Sequence, residues 1–291
     1  MMNDSQSGAL QGKRATFIFK AWRRFKKNPL VLFGVVVLIL IFIMAIAAPI
    51  LAPNNPNKIH YDAIYDSPSS KFLLGTDEIG RCVLSRIIYG ARTSLMVGII
   101  AVSISVTIGI TIGSIAGFFG GKIDNILMRF TDIIMTVPSL FFNIILVSIF
   151  RVRGLWIIMS VIGLLGWPGM ARVVRSVILS LKSRPYIEAS RSMGEREIVI
   201  LLKEALPNTL TPITIMATMR MGRSILIEAS LSWLGLGDPS IITWGRMLTS
   251  GQGVLNVAWW IATYPGLFIF LTVLAFNLIG DGLRDALDVR M

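Results

Sequence analysis

Long stretches without a charged residue restrict the fold of this chain more than any other feature. The run from Leu30 to Leu51 contains no charge, and comparable runs recur up to the C-terminal part. An α-helix needs about 20 apolar residues to cross the roughly 30 Å hydrocarbon core of a bilayer. Transmembrane β-barrels would instead show alternation in segments of about ten residues. The sequence therefore predicts an all-α membrane protein.

The apolar runs and the polar segments between them predict six transmembrane helices. The predicted spans are residues 30–51, 93–121, 133–150, 154–171, 208–236 and 259–279. Small residues at helical spacing in the second span favour close helix packing. Pro138 is expected to kink the third span, and Gly166-Trp167-Pro168-Gly169 to break the fourth. The residues from Lys122 to Asp132 are expected to form a short turn.

The spans divide the chain into five predicted segments with both termini in the cytoplasm. They are a cytoplasmic N-terminal segment (1–29), the first transmembrane helix (30–51), an external loop ending in an interfacial helix (52–92), a five-helix core domain (93–282) and a cytoplasmic tail (283–291). The first apolar run exceeds the 7–15 residues of a secretory signal, so we expect it to remain as an uncleaved helix.

The net charge of +12 follows the predicted topology. Eighteen of the 28 Lys and Arg residues fall in segments predicted to be cytoplasmic, and eight fall in external segments. Membrane proteins keep basic residues preferentially in their cytoplasmic loops. The charge is therefore explained by topology, and no nucleic-acid partner is expected.

The sequence predicts no catalytic, cofactor or metal site. His60 and the single cysteine, Cys82, lie in a polar loop, whereas a zinc site usually has four ligands. Gly121-Lys122 is not part of a P-loop, because Ala116 stands where the first Gly of that motif belongs and Ile123 follows the Lys. If ATP is used, another polypeptide must hydrolyse it.

The loop between the fourth and fifth spans, residues 182–207, has the pattern of a bent helical surface element. From Glu195 to Leu206 the apolar residues recur three or four positions apart, which gives one apolar helix face. Gly194 stands where two short helices would meet and the backbone must bend. Pro207 is expected to end the second helix. The loop is basic, so we expect it on the cytoplasmic side as a docking surface.

Two arginines lie deep inside the fifth predicted span. Arg220 is about thirteen residues beyond Pro207, or about 20 Å along a helix. A charge at such depth costs at least about 2.5–3.5 kcal/mol. Arg223 lies on the same face, and Glu228 is poorly placed for an ion pair with either. We expect all three to line a translocation pathway in which the arginines attract a carboxylate; the alternative is pairing with acids of a neighbouring subunit.

The loop motif resembles the "EAA" loop of ABC-importer permeases. It contains Glu188-Ala189-Ser190, then Gly194, then Leu206-Pro207. Three further blocks, residues 74–86, 228–237 and 277–288, are similar to the dipeptide, oligopeptide and nickel branch of that family. In the family, the loop is the coupling helix that fits a groove on the ATPase subunit. The resemblance assigns ATPase coupling to Glu188, Ala189, Ser190, Met193, Gly194, Leu206 and Pro207.

The resemblance implies a type I ABC-importer permease fold in the bacterial inner membrane. The implied partners are a second related permease, two ATPase subunits that bind ATP and Mg, and an external solute-binding protein. Di- or oligopeptides are the expected substrates, and nickel or another metal chelate is the alternative. A secondary transporter would need its own ion-coupling acids, and the first four predicted spans contain none. An ABC exporter or a channel subunit is the other alternative.

Several positions depart from the family pattern. Ser190 replaces an Ala, Glu204 stands where an apolar residue or His is usual, Cys82 replaces an Asp, and Val289 replaces a Pro. Arg220 and Arg223 also replace small or polar residues, which leaves the identity of the substrate open.

Overall fold

A computed structural model describes residues 25–150 and 154–287 of the 291-residue chain. Its helices are α1 (Pro29–Ile46), α2 (Val83–Phe119), α3 (Gly121–Thr136), α4 (Ser139–Ile149), α5 (Leu155–Lys182), α6 (Pro185–Ser192), α7 (Leu210–Trp233), α8 (Trp244–Gln252) and α9 (Trp260–Leu287). Between α6 and α7 the chain forms an α-helical turn at Glu197–Ile200, a π-helical turn at Leu201–Ala205 and a 3-10 turn at Leu206–Thr209. The described residues contain no β-strand, which agrees with the all-α prediction.

The described helices include five that are long and apolar enough to cross a membrane, and a bent pair that makes a sixth span if the pair is counted as one. The five contain α1, α2, α5, α7 and α9, and the bent pair is α3 with α4, at an angle of 87°. The expected kink at Pro138 is therefore a full break. Val137, the residue before the proline, is extended (φ −86°, ψ 127°), as the clash with a following proline ring favours.

Two further expectations about the helices are wrong. The charged residues of 122–132 lie on α3 rather than in a short turn, and two of them, Asp124 and Asp132, form ion pairs with Arg175 and Arg172 of α5. The Gly-Trp-Pro-Gly segment does not break the fourth span either, since α5 continues through Pro168 to Lys182. Membrane helices tolerate an internal proline where neighbouring helices support the backbone.

The interfacial helix that we expect at the end of residues 52–92 is not a separate element. Residues 74–82 instead form a compact turn around Asp77, whose Oδ1 accepts hydrogen bonds from the backbone N–H groups of Ile79 and Arg81 at 3.2 and 2.8 Å. The indole N–H of Trp260 donates to the carbonyl of Thr76 at 3.0 Å. These hydrogen bonds satisfy the polar groups locally, and α2 then starts at Val83.

Helices α2 and α5 pack along a seam of glycines. A β-carbon at Gly109 would lie 2.6 Å from the β-carbon of Met170, and one at Gly117 would lie 2.8 Å from the carbonyl oxygen of Arg175. Such distances leave no space for a side chain, so the two backbones approach closely, as small residues permit in membrane helices. Helix α9 packs against α1, α7 and α8.

Candidate functional site

The segment of residues 182–207, called the elbow below, consists of helical pieces that meet at Gly194. Helix α6 begins at Pro185, whose fixed φ suits a first helical position. Gly194 has a φ of +80°, a left-handed conformation that glycine adopts without a β-carbon clash. The N–H of Glu195 donates to the carbonyl of Ser190 at 3.2 Å and closes the end of α6. The bend predicted at Gly194 is confirmed.

One face of the elbow is buried against the membrane helices. The elbow contributes four apolar side chains to a buried cluster with residues of α2, α5 and α7. The members are Ile187, Ile200, Leu201 and Ala205 of the elbow with Phe118, Met170, Val174, Ile178 and Ile213 of the helices. Burying one large aliphatic side chain contributes about 1.5–3 kcal/mol. The elbow is therefore held to three long helices as one packed unit.

The opposite face of the elbow is exposed and partly apolar. Met193 is 79% exposed, and no atom lies within 4 Å of the position of a β-carbon at Gly194. Ile198 and Leu202 are about half exposed. An exposed apolar patch on a polar loop is typical of a contact surface for another protein.

The residues that the resemblance assigns to ATPase coupling divide between the two faces. Glu188, Ala189, Met193, Gly194 and Pro207 are exposed, Leu206 is partly buried and Ser190 is buried. Ser190 therefore acts within the elbow, where its carbonyl accepts the N–H of Glu195.

A charged pair spans the bend. The Nε and Nη2 atoms of Arg191 donate to the two carboxylate oxygens of Glu197 at 2.6 and 3.0 Å. This hydrogen-bonded pairing raises the pKa of Arg191. Two parallel hydrogen bonds fix the relative orientation of their groups, so the pair helps to hold the two pieces of the elbow at their angle.

Pro207 does not end the helix as we expected. The backbone passes from the π-helical turn at Leu201–Ala205 into the 3-10 turn at Leu206–Thr209 and then directly into α7. A proline is tolerated near the start of a helical segment, where its missing N–H needs no partner. The change of winding makes Pro207 such a start, so the elbow continues into α7 without a loop.

The two arginines of α7 lie beside a cavity of about 340 Å³. Its walls come from α2, the break between α3 and α4, α5 and α7. Its polar lining residues are Ser105, Ser139, Asn143, Arg220, Arg223 and Ser224. No Asp or Glu is among the described residues that line it. The volume lies in the lower part of the range of small-molecule pockets, about 300–1,000 Å³.

The guanidinium group of Arg220 rests on α5 at a place where that helix has no side chains. A β-carbon at Gly169 would lie 2.8 Å from Nη2 of Arg220, and a β-carbon at Gly166 would lie 3.3 Å from Nη1. Arg223 reaches the opposite wall, where its Nη2 lies 3.4 Å from Oγ of Ser139. The arginines therefore approach the cavity from one helix and contact two different walls.

Three polar atoms of lining residues are buried and have no hydrogen-bond partner within the described part of the chain. They are Nε of Arg220, Oγ of Ser105 and Oδ1 of Asn143. The amide nitrogen of Asn143 donates to the carbonyl of Ser139 at 2.7 Å, which leaves its oxygen unused. Each unsatisfied buried group costs about 1–3 kcal/mol. Residues that line the cavity thus carry two groups that can donate and one acceptor that have no partner in the described part of the chain.

Glu228, which we expected to line the same pathway as the arginines, lies elsewhere. Its side chain is 1% exposed and does not line the cavity. Its Oε1 accepts hydrogen bonds from the hydroxyls of Ser232 at 2.7 Å and Thr243 at 2.9 Å. Glu228 therefore ties α7 to the segment that begins α8, and the expectation that it lines the pathway with the arginines is not supported by its position.

Sequence reasoning missed four residues around Arg220. Gly166 and Gly169 carry a signal, because glycines three apart leave one helix face bare, but the proline between them predicts a helix break instead. Ser105 and Asn143 carry none, since nothing in their own segments connects them to α7.

In the described ranges, no group of three or more His, Cys, Asp and Glu side chains is placed to hold a metal ion.

Two family comparisons cover most of the chain. Residues 109–291 match the family described as binding-protein-dependent transport system inner membrane component. Residues 16–68 match the N-terminal transmembrane domain of oligopeptide transport permease C.

Several curated proteins and one solved structure are similar to this chain. A dipeptide transport system permease protein of Bacillus subtilis is 40% identical over 273 residues, which are 93% of this chain and 85% of that protein. A glutathione transport system permease protein of Pectobacterium atrosepticum is 41% identical over 93% of this chain and 90% of its own length. A di/tripeptide permease of Pseudomonas aeruginosa is 39% identical over 93% and 91%. An inward-facing form of the MetNI methionine ABC transporter matches the fold with a TM-score of 0.57 at 19% identity, over 70% of this chain and 97% of that one.

Proposed function

Because this chain belongs to the binding-protein-dependent transport system inner membrane components and is a permease of an ABC importer, we propose that it forms half of a pathway through which di- or oligopeptides enter a bacterial cell. The names of the three relatives, for dipeptides, di/tripeptides and glutathione, support a peptide substrate. None of these three is named for nickel, so the metal-chelate alternative is the weaker one.

The elbow is the part of the chain through which, in this proposal, the ATPase subunit moves the membrane helices. Its inner face is packed into α2, α5 and α7, whereas its outer face presents Met193 and the bend at Gly194 to solvent. An ATPase subunit that binds the outer face and displaces the elbow would also move the three helices, because a packed interface transmits displacement. Two such subunits bind ATP and Mg and hydrolyse the ATP, and this chain performs no covalent chemistry.

The proposed arrangement places the elbow and both termini in the cytoplasm, with the chain in the bacterial inner membrane. The excess of Lys and Arg in these segments supports it. A second permease completes the pathway, and a solute-binding protein delivers the substrate from outside. Cys82 is buried, so a Met193→Cys variant offers a new exposed thiol that an impermeant reagent should label only from the cytoplasmic side.

Transport by the assembled complex tests the substrate. Proteoliposomes that contain both permeases and both ATPases, with the binding protein outside and ATP inside, should accumulate a labelled dipeptide or tripeptide. Accumulation of a nickel chelate and of no peptide would favour the alternative. Peptide uptake that needs no ATP would overturn the assignment of an ATP-driven pathway.

A pair of charge-introducing variants tests the coupling surface. Met193→Asp on the elbow should reduce co-purification of the ATPases, because it places a charge on an apolar contact. Tyr61→Asp is the control: Tyr61 is 78% exposed, close to the 79% of Met193, but lies in the loop that we predict to be external. Equal ATPase recovery with both variants would show that the elbow is not the docking surface.

A further inference from the structure

The cavity beside Arg220 and Arg223 has the composition of a site for an anion. Two fixed cations line it from one helix, and no carboxylate is among the described residues that line it. Glu228, the acid of the same helix, does not line the cavity, and its Oε1 accepts hydrogen bonds from Ser232 and Thr243. Positive charge inside a membrane protein needs a counter-charge or water, and the described residues that line the cavity include no counter-charge.

The hydrogen-bonding atoms without partners indicate which chemical groups the ligand should carry. Nε of Arg220 and the hydroxyl of Ser105 are donors, and Oδ1 of Asn143 is an acceptor. Ser105 is 2% exposed and Asn143 is 1% exposed, so both are built into the wall of the cavity. A carboxylate needs donors, and an adjacent N–H needs an acceptor. The last residue of a peptide presents both groups on one α-carbon.

Helix α5 holds the charged group in place. Gly166 and Gly169 leave the space that the guanidinium of Arg220 occupies, at 3.3 and 2.8 Å from where their β-carbons would be. An arginine that reached only into lipid or solvent would not need two glycines, three residues apart, on the neighbouring helix. The position of Arg220 is therefore specified by the packing of α5 against α7.

From these observations we propose that Arg220 and Arg223 bind the free C-terminal carboxylate of the transported peptide, with Ser105 as a further donor and Asn143 accepting the last peptide N–H. This inference rests on the proposed function and deepens it, since it makes a free carboxylate a condition for transport that the permease itself imposes. Arg220 binds from the α5 side of the cavity and Arg223 from the side of Ser139.

The test compares a free peptide with its C-terminal amide in proteoliposomes that contain the complete complex. The probes are labelled Ala-Ala and Ala-Ala-amide, at saturating binding protein and ATP. The binding protein is the same in every sample, so any change in the acid-to-amide preference between variants arises in the membrane part. We expect Arg220→Gln and Arg223→Gln each to lower that preference by about tenfold or more, because hydrogen bonds to charged groups are lost.

Two further variants keep the result interpretable. Gly169→Ala leaves both arginines in the sequence but fills the space of the guanidinium, so it should lower the preference in the same direction as Arg220→Gln. Arg284→Gln removes an exposed arginine at the end of α9 that does not line the cavity, and it should leave the preference unchanged. Co-purification of the ATPases checks that each variant is folded and assembled.

The outcomes separate this inference from the proposed function. Wild-type complex that takes up no peptide with ATP would refute the proposed function itself. Wild-type uptake with an acid-to-amide preference that is the same in Arg220→Gln and Arg223→Gln would refute only the carboxylate site. If the arginine variants instead fail to assemble with the second permease, and the assembled fraction keeps the wild-type preference, the arginines pair with that subunit and the inference is overturned. If the wild type takes up no amide, a tenfold loss of free-acid uptake in Arg220→Gln, with Arg284→Gln unchanged, supports the site.

Discussion

Two isoleucines in one turn of the elbow separate its two faces and allow each to be tested alone. Ile200 is fully buried in the cluster with α2, α5 and α7, whereas Ile198 is 50% exposed. Truncating a buried isoleucine to alanine costs about 2–5 kcal/mol, because the methyl groups are lost and a cavity remains. The same change at an exposed position usually stays within about 0.5 kcal/mol. Ile200→Ala should therefore destabilise the permease, and Ile198→Ala should not.

The same two variants should behave in the opposite way towards the ATPase. If Ile198 lies in the proposed interface, its truncation should weaken ATPase binding by about fivefold or more, which corresponds to about 1 kcal/mol. Thermal unfolding can be followed with a thiol-reactive dye, since Cys82 is the chain's single cysteine and is buried. For Ile200→Ala we expect a midpoint lower by roughly 4 °C or more.

The stability prediction for Ile200→Ala and the binding prediction for Ile198→Ala can each be contradicted separately. An unfolding midpoint of Ile200→Ala equal to that of wild type would show that the inner face is not packed as described. Wild-type ATPase affinity of Ile198→Ala would show that the outer face is not the docking surface. Ile200→Val, with an expected loss of about 0.5–1.5 kcal/mol, provides a milder variant if Ile200→Ala does not assemble.

Three further substitutions test the backbone and the ion pairs. Gly194→Ala should destabilise the protein by about 1–2 kcal/mol, because alanine is strained at the φ of +80° that Gly194 adopts. Gly253→Ala is the control: Gly253 has a φ of −81° and also has no neighbours within 4 Å, so its substitution should cost nothing in the same unfolding assay. Equal unfolding midpoints for the two variants would contradict the backbone strain at Gly194. Gly113→Ala should lower the unfolding midpoint by an amount equivalent to about 1–3 kcal/mol, since the new β-carbon would lie 2.8 Å from the β-carbon of Val174. An unchanged midpoint would show that α2 and α5 are not closely packed at this position. Asp124→Asn should destabilise by about 1 kcal/mol or more, because it leaves the partly buried Arg175 without its carboxylate, and adding Arg175→Gln should recover part of the loss; additive losses would show that the two side chains do not interact.

The sequence was sufficient for the elements that local pattern and charge specify. Uncharged runs of membrane-spanning length predict helices regardless of their neighbours, because the bilayer interior leaves the backbone few alternatives. The elbow was predictable for a similar reason: its apolar residues recur at helical spacing, and Gly194 supplies the one conformation that a bend requires. In both cases the signal lies within the segment that folds.

The sequence failed where a distant segment decides the outcome. The two prolines show this clearly: Pro138 breaks its span completely, whereas Pro168 is contained in a continuous α5. Both remove one backbone donor, so the difference comes from what surrounds them. The stretch before Pro138 forms ion pairs with α5, such as Asp124 with Arg175, and it meets α4 at an angle of 87°. The segment around Pro168 is packed against α2 along the glycine seam.

The elbow and the arginine cavity are connected by two short paths through the same packed helices. On α5, Gly169 adjoins the guanidinium of Arg220, and the next residue, Met170, belongs to the cluster that holds the elbow. On α7, Ile213 of that cluster precedes Arg220 by seven residues, or about 10.5 Å along the helix. A displacement of the elbow that moved α5 relative to α7 would therefore separate Arg220 from its glycine cradle, whereas a displacement that moved both helices together would carry the arginine and the cradle as one body. The cluster joins both helices to the elbow, so a motion of α5 relative to α7 would disrupt its packing, whereas a joint motion of the two helices preserves it. The proposed carboxylate site should therefore move with the elbow as a rigid body.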